Sequence, residues 1–355
     1  MKSAYIHIPF CKQKCLYCDF NSFDNQDYLI ESYISALKKE ISCYNIKELY
    51  TLYIGGGTPS YISEKYISDI LNLLPKSTET TIEINPGTIS FEKLTAYKKA
   101  GINRVSIGLQ VADDHILKLI GRIHSLKEFE ESYSLVRKAG FENVNVDLMF
   151  GLPTQTLNSF KETVEYLINL KPEHISSYSL IVHNHIFKNL PSDEEEREMY
   201  HYLVTKMKDA HYKHYEISNF AIEGYESKHN LAYWKQKEYY GFGAGASSFI
   251  DNKRYTNVRN VKQYISLVND NKEVRILEET LNEENKLNEY MMLGLRTIEG
   301  INIKETNEKF NTNILKRYEK SLKKLNGYRL IEIDDNVKLT SKGLDLANVV
   351  WEEFV

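Results

Sequence analysis

The chain has 355 residues and a formal net charge of −4, so it is long enough for roughly two domains that bury a core without disulfides. Hydrophobic residues make up 42% and charged residues 26%, and no stretch has the run of about 18 apolar residues that a membrane helix needs. These values exclude disordered, collagen-like and transmembrane proteins. The acidic balance gives no reason to expect a nucleic-acid partner.

The first residues, Met1–Tyr5, contain no apolar run. The sequence therefore predicts no signal peptide and a reducing, cytoplasmic location. Structural disulfides are rare in such a compartment. The cysteines at positions 11, 15, 18 and 43 need another explanation, and the first three lie close together.

Six short β-rich segments recur in the first half of the chain. Their residues are mostly apolar rather than cleanly alternating, which is typical of buried parallel strands. The segments are Ala4–Ile8, Leu52–Ile54, Thr81–Ile84, Arg104–Gly108, Val144–Met149 and Ile175–Ile181. Six such strands fit either an incomplete barrel or an open α/β sheet, and the pattern leaves both open.

Helical segments with readable ends separate these strands. Ser125 and Glu128 form a capping box, and Ser90 opens another helix. Gly101 and Gly140 each end a helix, and each is followed by a strand in the same way. Repeated strand–helix units of this kind give parallel strands with right-handed crossovers.

The pattern changes after about residue 220. Gly241–Ala246 is a small-residue stretch that suits close approach of backbones. Residues 285–326 have a helical pattern, and Leu330–Ile333 and Val337–Leu339 flank a turn. Helices followed by a hairpin predict a small winged-helix-like C-terminal domain. Its charges nearly balance, which favours a packing role over DNA binding.

Cys11, Cys15 and Cys18 form a C-x3-C-x2-C motif on the loop after the first strand. Three soft thiolates on one loop are ligands for an iron–sulfur cluster or for zinc. No second paired motif supplies a fourth zinc ligand, so the cluster is favoured, while zinc and chance stay open. A [4Fe–4S] cluster on three thiolates leaves one iron open. Cys43 has no partner in the sequence and is predicted to be a small buried hydrophobe.

The cysteine motif, followed by Gly55–Pro59 at the end of the second strand, resembles the radical SAM superfamily. The run Tyr5–Cys11 narrows the resemblance to the oxygen-independent coproporphyrinogen III oxidase-like family. Within it, the run His229–Trp234 is similar to the HNxxYW signature of the HemW-type heme chaperones. The likeness covers nearly the whole chain.

The resemblance implies an α/β fold in three parts. These are a partial (β/α)6 TIM-type radical SAM barrel over residues 1–220, a connecting segment with the HNxxYW motif over 221–280, and the winged-helix-like α+β domain over 281–355. It also implies three cofactors: S-adenosylmethionine (SAM), heme, and a [4Fe–4S] cluster held by Cys11, Cys15 and Cys18.

Further residues match family positions one by one. The resemblance implies SAM contacts at Tyr5, Tyr17, Gly56, Gly57, Thr58 and Glu83, and a second set, which serves a second SAM molecule in the oxidase, at Gln110, Arg122 and Asp147. An unpaired charge in an apolar strand is costly. Asp147 therefore either binds a ligand or pairs with a residue such as Arg122.

The HNxxYW motif carries the expectation of heme binding. His229 can supply an imidazole to heme iron, Asn230 can orient it, and Tyr233 and Trp234 can stack on the porphyrin. An isolated histidine is ordinarily a surface or satisfied core residue, but the surrounding motif favours a functional role. The rival ligands, each better explained as structural, are His7, His183, His185, His211 and His214.

Two features depart from the oxidase. Its motif continues to a fourth cysteine where this chain has Phe20, and its long N-terminal arm is missing ahead of Cys11. The expected function is therefore heme binding and delivery to apo-hemoproteins such as membrane-bound respiratory cytochromes. The alternative is the oxidase itself, and whether the protein is an enzyme stays open.

The resemblance implies a cytoplasmic protein, free or held at the membrane through a partner, without a transmembrane segment or a nucleic-acid partner.

Overall fold

Six parallel strands form the centre of the main sheet. The computed structural model describes residues 1–181 and 187–354. The six predicted strands are all present, in chain order across the sheet, as repeated strand–helix units require. They are β1 (Ser3–Ile8), β2 (Thr51–Gly56), β3 (Glu79–Ile84), β4 (Arg104–Gln110), β5 (Val144–Phe150) and β6 (His174–Ser179). The last strand ends two residues earlier than predicted.

Helices follow most of these strands, as the repeat predicts. They are α1 (Ile30–Ser42), α2 (Glu64–Leu71), α3 (Phe91–Lys99), α4 (Asp114–Leu119), α5 (Leu126–Lys138) and α6 (Leu157–Leu170). The capping box of Ser125 and Glu128 is confirmed at the start of α5, and Ser90 caps α3. Gly101 and Gly140 lie just beyond α3 and α5 with positive φ angles of 102° and 83°. The predicted partial (β/α)6 arrangement is therefore confirmed.

The strands alternate cleanly between two faces, so their interpretation as mostly apolar rather than alternating is wrong. On the face toward the helices, residues such as Ile6, Ile54 and Val146 belong to the main hydrophobic core. The opposite face lines the barrel lumen, and its polar members include Tyr5, His7, Tyr53, Glu83, Arg104, Ser106, Asn145, Asp147 and Ser176. This inner face does not pack a core, so its polar groups remain for ligands.

Further strands extend the sheet beyond both β1 and β6. The elements involved are α7 (Asp193–Asp209), β7 (Lys213–Glu216), β8 (Asn219–Ala221), α8 (Lys228–Trp234), β9 (Tyr239–Phe242), β10 (Ser247–Ile250), β11 (Lys253–Asn257), α9 (Val261–Asn269) and β12 (Arg275–Thr280). Strand β9 pairs with β1 in parallel, and β8 pairs with β6 in antiparallel fashion. Residues 221–280 thus supply strands to the main sheet, while the predicted domain boundaries stay predictions.

The C-terminal part has a hydrophobic core of its own, which includes Leu287, Ile314 and Val337. Its elements are α10 (Glu283–Gly294), β13 (Ile301–Asn302), α11 (Ile303–Phe310), α12 (Ile314–Arg317), α13 (Glu319–Gly327), β14 (Ile331–Ile333), β15 (Asn336–Leu339), α14 (Ser341–Asp345) and α15 (Ala347–Trp351). The predicted hairpin is confirmed as β14 and β15. The predicted helical stretch is divided, because β13 interrupts it and Asn311 ends α11 with a left-handed φ of 46°.

Of the helices in the described part of the chain, none has both the length and the apolar character needed to cross a membrane.

Candidate functional site

The loop after β1 brings the three motif cysteines together. Cys11, Cys15 and Cys18 are free thiols, and all three line one cavity of about 440 Å³ in the barrel lumen. Burial raises the pKa of the Cys11 thiol, whose sulfur accepts a hydrogen bond from the Thr58 hydroxyl at 3.6 Å. Cys43 directly follows α1 and is exposed, so the prediction that it is buried is wrong. The end of α1 lies at the protein surface there.

The glycines at the end of β2 leave space beside these thiols. A Cβ atom on Gly57 would lie 2.9 Å from the Cys11 sulfur and 2.8 Å from the Phe10 carbonyl oxygen. Gly56 has a φ of +120°, and a Cβ atom there would lie 2.7 Å from the His7 ring. Only bare backbone fits at either position.

The donor set and the space suit an iron–sulfur cluster. Thiolates are the ligands that such a cluster takes, one on each of several iron atoms. Within residues 1–181 and 187–354, no group of three or more His, Cys, Asp or Glu side chains is arranged to hold a single metal ion. The three thiols, the bare glycine backbone and the open cavity therefore fit a [4Fe–4S] cluster with a ligand beside it.

Glu83 lies at the edge of the same cavity. Its carboxylate accepts hydrogen bonds from the Tyr53 hydroxyl at 2.9 Å and from the Gly56 N–H at 3.1 Å. Burial raises the pKa of Glu83 to about 7, although both hydrogen bonds oppose this shift. Glu83 therefore titrates much closer to neutral pH than an exposed carboxyl group does, and its carboxylate can accept hydrogen bonds from hydroxyl or ammonium groups of a ligand.

The stability of the ligand-free protein is expected to contain a pH-dependent contribution from Glu83. Its folded pKa of about 7 exceeds the ordinary value of 4.5. The folded state therefore keeps a proton that the unfolded state releases, and this stabilisation is lost as the pH rises from about 4.5 to about 7. In Glu83→Gln, the free energy of unfolding should fall by about 1–3 kcal/mol less over this pH range than in the parent. Denaturant titrations of parent and variant across this range measure the difference, and parallel pH profiles would contradict the expectation.

Gln110, Arg122 and Asp147 line another wall of the cysteine cavity. Gln110 has a φ of 73° at an irregularity of β4, a costly conformation that is often found at functional sites. Asp147 and Arg122 make separate contacts instead of the ion pair considered for them. The Arg122 guanidinium donates to Asn85 Oδ1 at 3.1 Å and lies 3.7 Å from the Cys15 sulfur.

A chain of buried hydrogen bonds holds Asp147 and continues to the start of α8. The Asn145 amide donates to Asp147 at 2.7 Å, and its carbonyl oxygen lies 2.5 Å from His174 Nδ1. His174 Nε2 lies 2.8 Å from the Tyr215 hydroxyl, which accepts from the Ser227 N–H at 3.2 Å. Burial lowers the pKa of His174, so its ring is neutral. This series of hydrogen bonds connects a carboxylate of the cysteine cavity to the helix that carries the HNxxYW motif.

His229 lies in the wall of a second cavity, of about 650 Å³. Its Nδ1 lies 2.8 Å from Thr51 Oγ1, and its Nε2 lies 2.8 Å from the Tyr233 hydroxyl. Because the Thr51 hydroxyl donates to Ser3 Oγ, it accepts from Nδ1–H, and Nε2 is left to accept from Tyr233. Burial and then the charge of Arg104 lower the pKa of His229 to about 3, so the imidazole is neutral.

The two cavities share a wall, which places most of the predicted residues in one region. The residues that border both cavities are Asp19, Phe20, Tyr53, Gly56, Glu83 and Asn230. Tyr17 and Thr58 line the cysteine cavity. Tyr5 lies on the His229 side, where its hydroxyl is 2.9 Å from His7 Nδ1.

Trp234 lies on the other side of α8. The Arg296 guanidinium is stacked between the ring of Trp234, at 4.3 Å, and the ring of Trp351, at 4.9 Å. Neighbouring residues on a helix point in different directions, so Trp234 faces the C-terminal part while Tyr233 faces the lumen. Among the described residues, Trp234 borders neither cavity, and the structure does not bring it to the porphyrin-stacking position expected of it.

The rival histidines lie in different places. His7 lines the second cavity, and its Nε2 is 2.8 Å from the Asn21 carbonyl oxygen. His214 belongs to β7 at the edge of the sheet, and His211 lies just before it. His183 and His185 fall outside the described residues.

The motifs did not predict several lumen residues of the cysteine cavity that lie on β4, β5 and β6. They include Arg104, Ser106, Asn145 and Ser176. The period-two alternation along β4, β5 and β6 is the signal that identifies them, because it places them on the same face as Asp147.

Comparisons with known proteins agree on the family and the fold. Residues 5–167 match the family model described as the radical SAM superfamily, and residues 281–346 match the HemN C-terminal domain. The chain is 38% identical to the heme chaperone HemW of Lactococcus lactis, over 99% of this chain and 97% of that protein. It is 41% identical to the heme chaperone HemW of Bacillus subtilis, over 100% of this chain and 99% of that protein.

A solved structure shows the same fold over the full length. The coproporphyrinogen III oxidase HemN of Escherichia coli, a radical SAM enzyme, superposes with a TM-score of 0.88 and covers 99% of this chain and 89% of that one. The two sequences are 23% identical, so this likeness concerns the fold alone.

Proposed function

The chain belongs to the HemW family within the radical SAM superfamily, and on that premise we propose that it is a chaperone that binds heme and delivers it to apo-hemoproteins. The proposed acceptors are respiratory cytochromes. The proposed location is the cytoplasm, with contact to the membrane only through the acceptor. The three free thiols of the cysteine loop support a reducing compartment.

Cys11, Cys15 and Cys18 would hold the [4Fe–4S] cluster of this superfamily. When bound, the cluster supplies an iron atom that no cysteine holds, to which the amino and carboxylate groups of SAM attach. The bare backbone of Gly56 and Gly57 leaves space for the cofactor beside Cys11. The remaining contacts of the SAM proposal are Tyr5, Tyr17, Thr58, Glu83, Gln110, Arg122 and Asp147.

The observation that supports heme binding is the state of His229. Its Nδ1–H is held by Thr51, which orients the ring and fixes the tautomer that leaves Nε2 unprotonated. With a pKa of about 3, the ring does not compete for protons at neutral pH, so the Nε2 lone pair is available to iron. Among the described residues, the Tyr233 hydroxyl alone occupies that lone pair, and it lies at the cavity wall.

Hemin titration tests this assignment. The parent protein is expected to show a shifted Soret band as Nε2 of His229 replaces a weaker iron ligand. His229→Ala should lose this shift and at least about tenfold in hemin affinity, because an iron–imidazole bond is removed. His211→Ala, which changes an exposed histidine outside both cavities, is the matched control.

Tyr233→Phe distinguishes iron ligation by His229 from non-specific hydrophobic binding of hemin. The variant keeps the ring and removes the hydroxyl that occupies Nε2, so hemin should bind as tightly as in the parent or up to about fivefold more tightly. Equal binding and heme transfer by the parent and by His229→Ala would contradict axial ligation by this residue.

A further inference from the structure

Arg104 is a buried charge with no ion-pair partner in direct contact among the described residues. The residue is 2% exposed on the inner face of β4. Its Nε has no hydrogen-bond partner, and no ion pair of Arg104 is present in the described part of the chain. Arginine is almost never fully buried unless it is paired, because removing an unpaired charge from water is costly. The guanidinium therefore retains hydrogen-bonding capacity for an anionic group from outside the chain.

The position of Arg104 makes it accessible to a ligand. It lines the cysteine cavity together with Ser106, Asn145 and Asp147. The neighbouring residue in the sheet register is Thr81, whose buried hydroxyl also lacks a partner among the described residues. Two adjacent strands, β3 and β4, thus each carry a polar group without a hydrogen-bond partner at the same level of the sheet.

Burial raises the pKa of Asp147 and the charge of Arg104 opposes this shift, but neither Asp147 nor Glu83 is in direct contact with the guanidinium. Asp147 takes its hydrogen bonds from neutral donors, Asn145 and Ser106. Glu83 takes its own from Tyr53 and the backbone of Gly56. A guanidinium binds a planar carboxylate through two parallel N–H···O bonds, and it does so more strongly than it binds a neutral acceptor.

We propose that Arg104 binds a carboxylate group of the ligand that enters the barrel lumen. This inference rests on the proposed function, since both molecules of that proposal carry carboxylates. Heme has two propionates, and SAM has one carboxylate on its methionine part, of which one oxygen remains when the other attaches to the cluster iron. Either source places an anion on Arg104 and turns a destabilising buried charge into a binding contact.

Arg104→Met tests the proposal, because methionine fills similar space without charge. In the ligand-free protein the variant should melt at the same or a higher temperature than the parent, since a buried charge that makes no direct ion pair is removed. Ligand affinity should nevertheless fall at least about tenfold, as expected for the loss of a charge-assisted bond. Arg137→Met is the matched control, because Arg137 is half-buried and paired with Glu173 outside the lumen.

Three probes on cluster-reconstituted protein identify the source of the carboxylate: hemin, hemin dimethyl ester and SAM. Weaker binding of hemin but not of its ester to Arg104→Met supports a propionate contact. Weaker binding of SAM alone supports a contact to the methionine carboxylate. If hemin fails to bind even to the parent, the proposed function fails, and the SAM titration still decides the role of Arg104.

Two outcomes would overturn the inference. One is that Arg104→Met binds hemin and SAM as the parent does. The other is a lower melting temperature with equal losses for hemin and its ester, which would identify Arg104 as a structural residue. If the methionine variant does not fold, Arg104→Gln is measured in the same way, because it keeps polar atoms in the cavity while removing the charge.

Discussion

Replacing Cys11, Cys15 or Cys18 by alanine is expected to remove the iron–sulfur cluster completely, while Cys43→Ala retains it. The three motif thiols line one cavity, whereas Cys43 is exposed at the end of α1. With one thiolate missing, two remaining ligands cannot hold a cubane that leaves a further iron open for SAM. The expected effect is therefore all or none.

Metal and sulfide analysis after anaerobic reconstitution measures this result. The parent and Cys43→Ala should contain about four iron and four sulfide per chain, with the visible absorbance of a [4Fe–4S] cluster. Each of the other three variants should contain almost none. Stoichiometric zinc without iron–sulfur absorbance in the parent would instead assign the thiols to a zinc site.

Gly56→Ala is expected to destabilise the protein by about 3 kcal/mol or more and to disturb both cavities. A Cβ atom at this position would lie 2.7 Å from the His7 ring and 3.0 Å from the Ile8 carbonyl oxygen. The backbone also has a φ of +120°, which alanine does not adopt without strain. Clash and strain therefore add together in the wall that the two cavities share.

Gly101→Ala is the matched control for this substitution. Gly101 has a similar φ of +102°, but a Cβ atom there would meet nothing within 4 Å. Gly101→Ala should lower the free energy of unfolding by only about 1–2 kcal/mol, which is the contribution of backbone strain. Chemical denaturation of both variants, with hemin titration alongside, isolates the steric term. If Gly56→Ala is no less stable than Gly101→Ala, the residues around Gly56 move to accommodate the Cβ atom and the expected clash is wrong.

Local sequence signals were sufficient for the central strands and for several helix ends. The capping box at Ser125 and the glycines after α3 and α5 depend on interactions within a few residues, so they can be recognised without a structure. The clustering of the three cysteines is local in the same sense. Each is therefore found where the sequence places it.

Long-range contacts were not predictable in this way. The pairing of β9 with β1 joins two segments that lie far apart in the sequence, and no local pattern predicts it. Trp234 is part of the HNxxYW run, yet its packing partner Arg296 comes from the C-terminal part. Arg104 begins a strand that alternates between the two faces, but only the sheet geometry shows that it shares a cavity with the three cysteines.

The place of β1 in the middle of the sheet has a consequence for the order of folding. Strand β1 lies between β2 and β9, and the Asn21 amide beyond the cysteine loop donates to the carbonyl oxygens of Ala244 and Arg259. The N-terminal part leaves the ribosome first, but the residues that fasten this loop are synthesised much later. Closing such a long stretch of chain is slow compared with forming local helices. The cysteines therefore spend the interval as unprotected thiols, and a cluster can be inserted into a fixed loop only after residue 259 has been made.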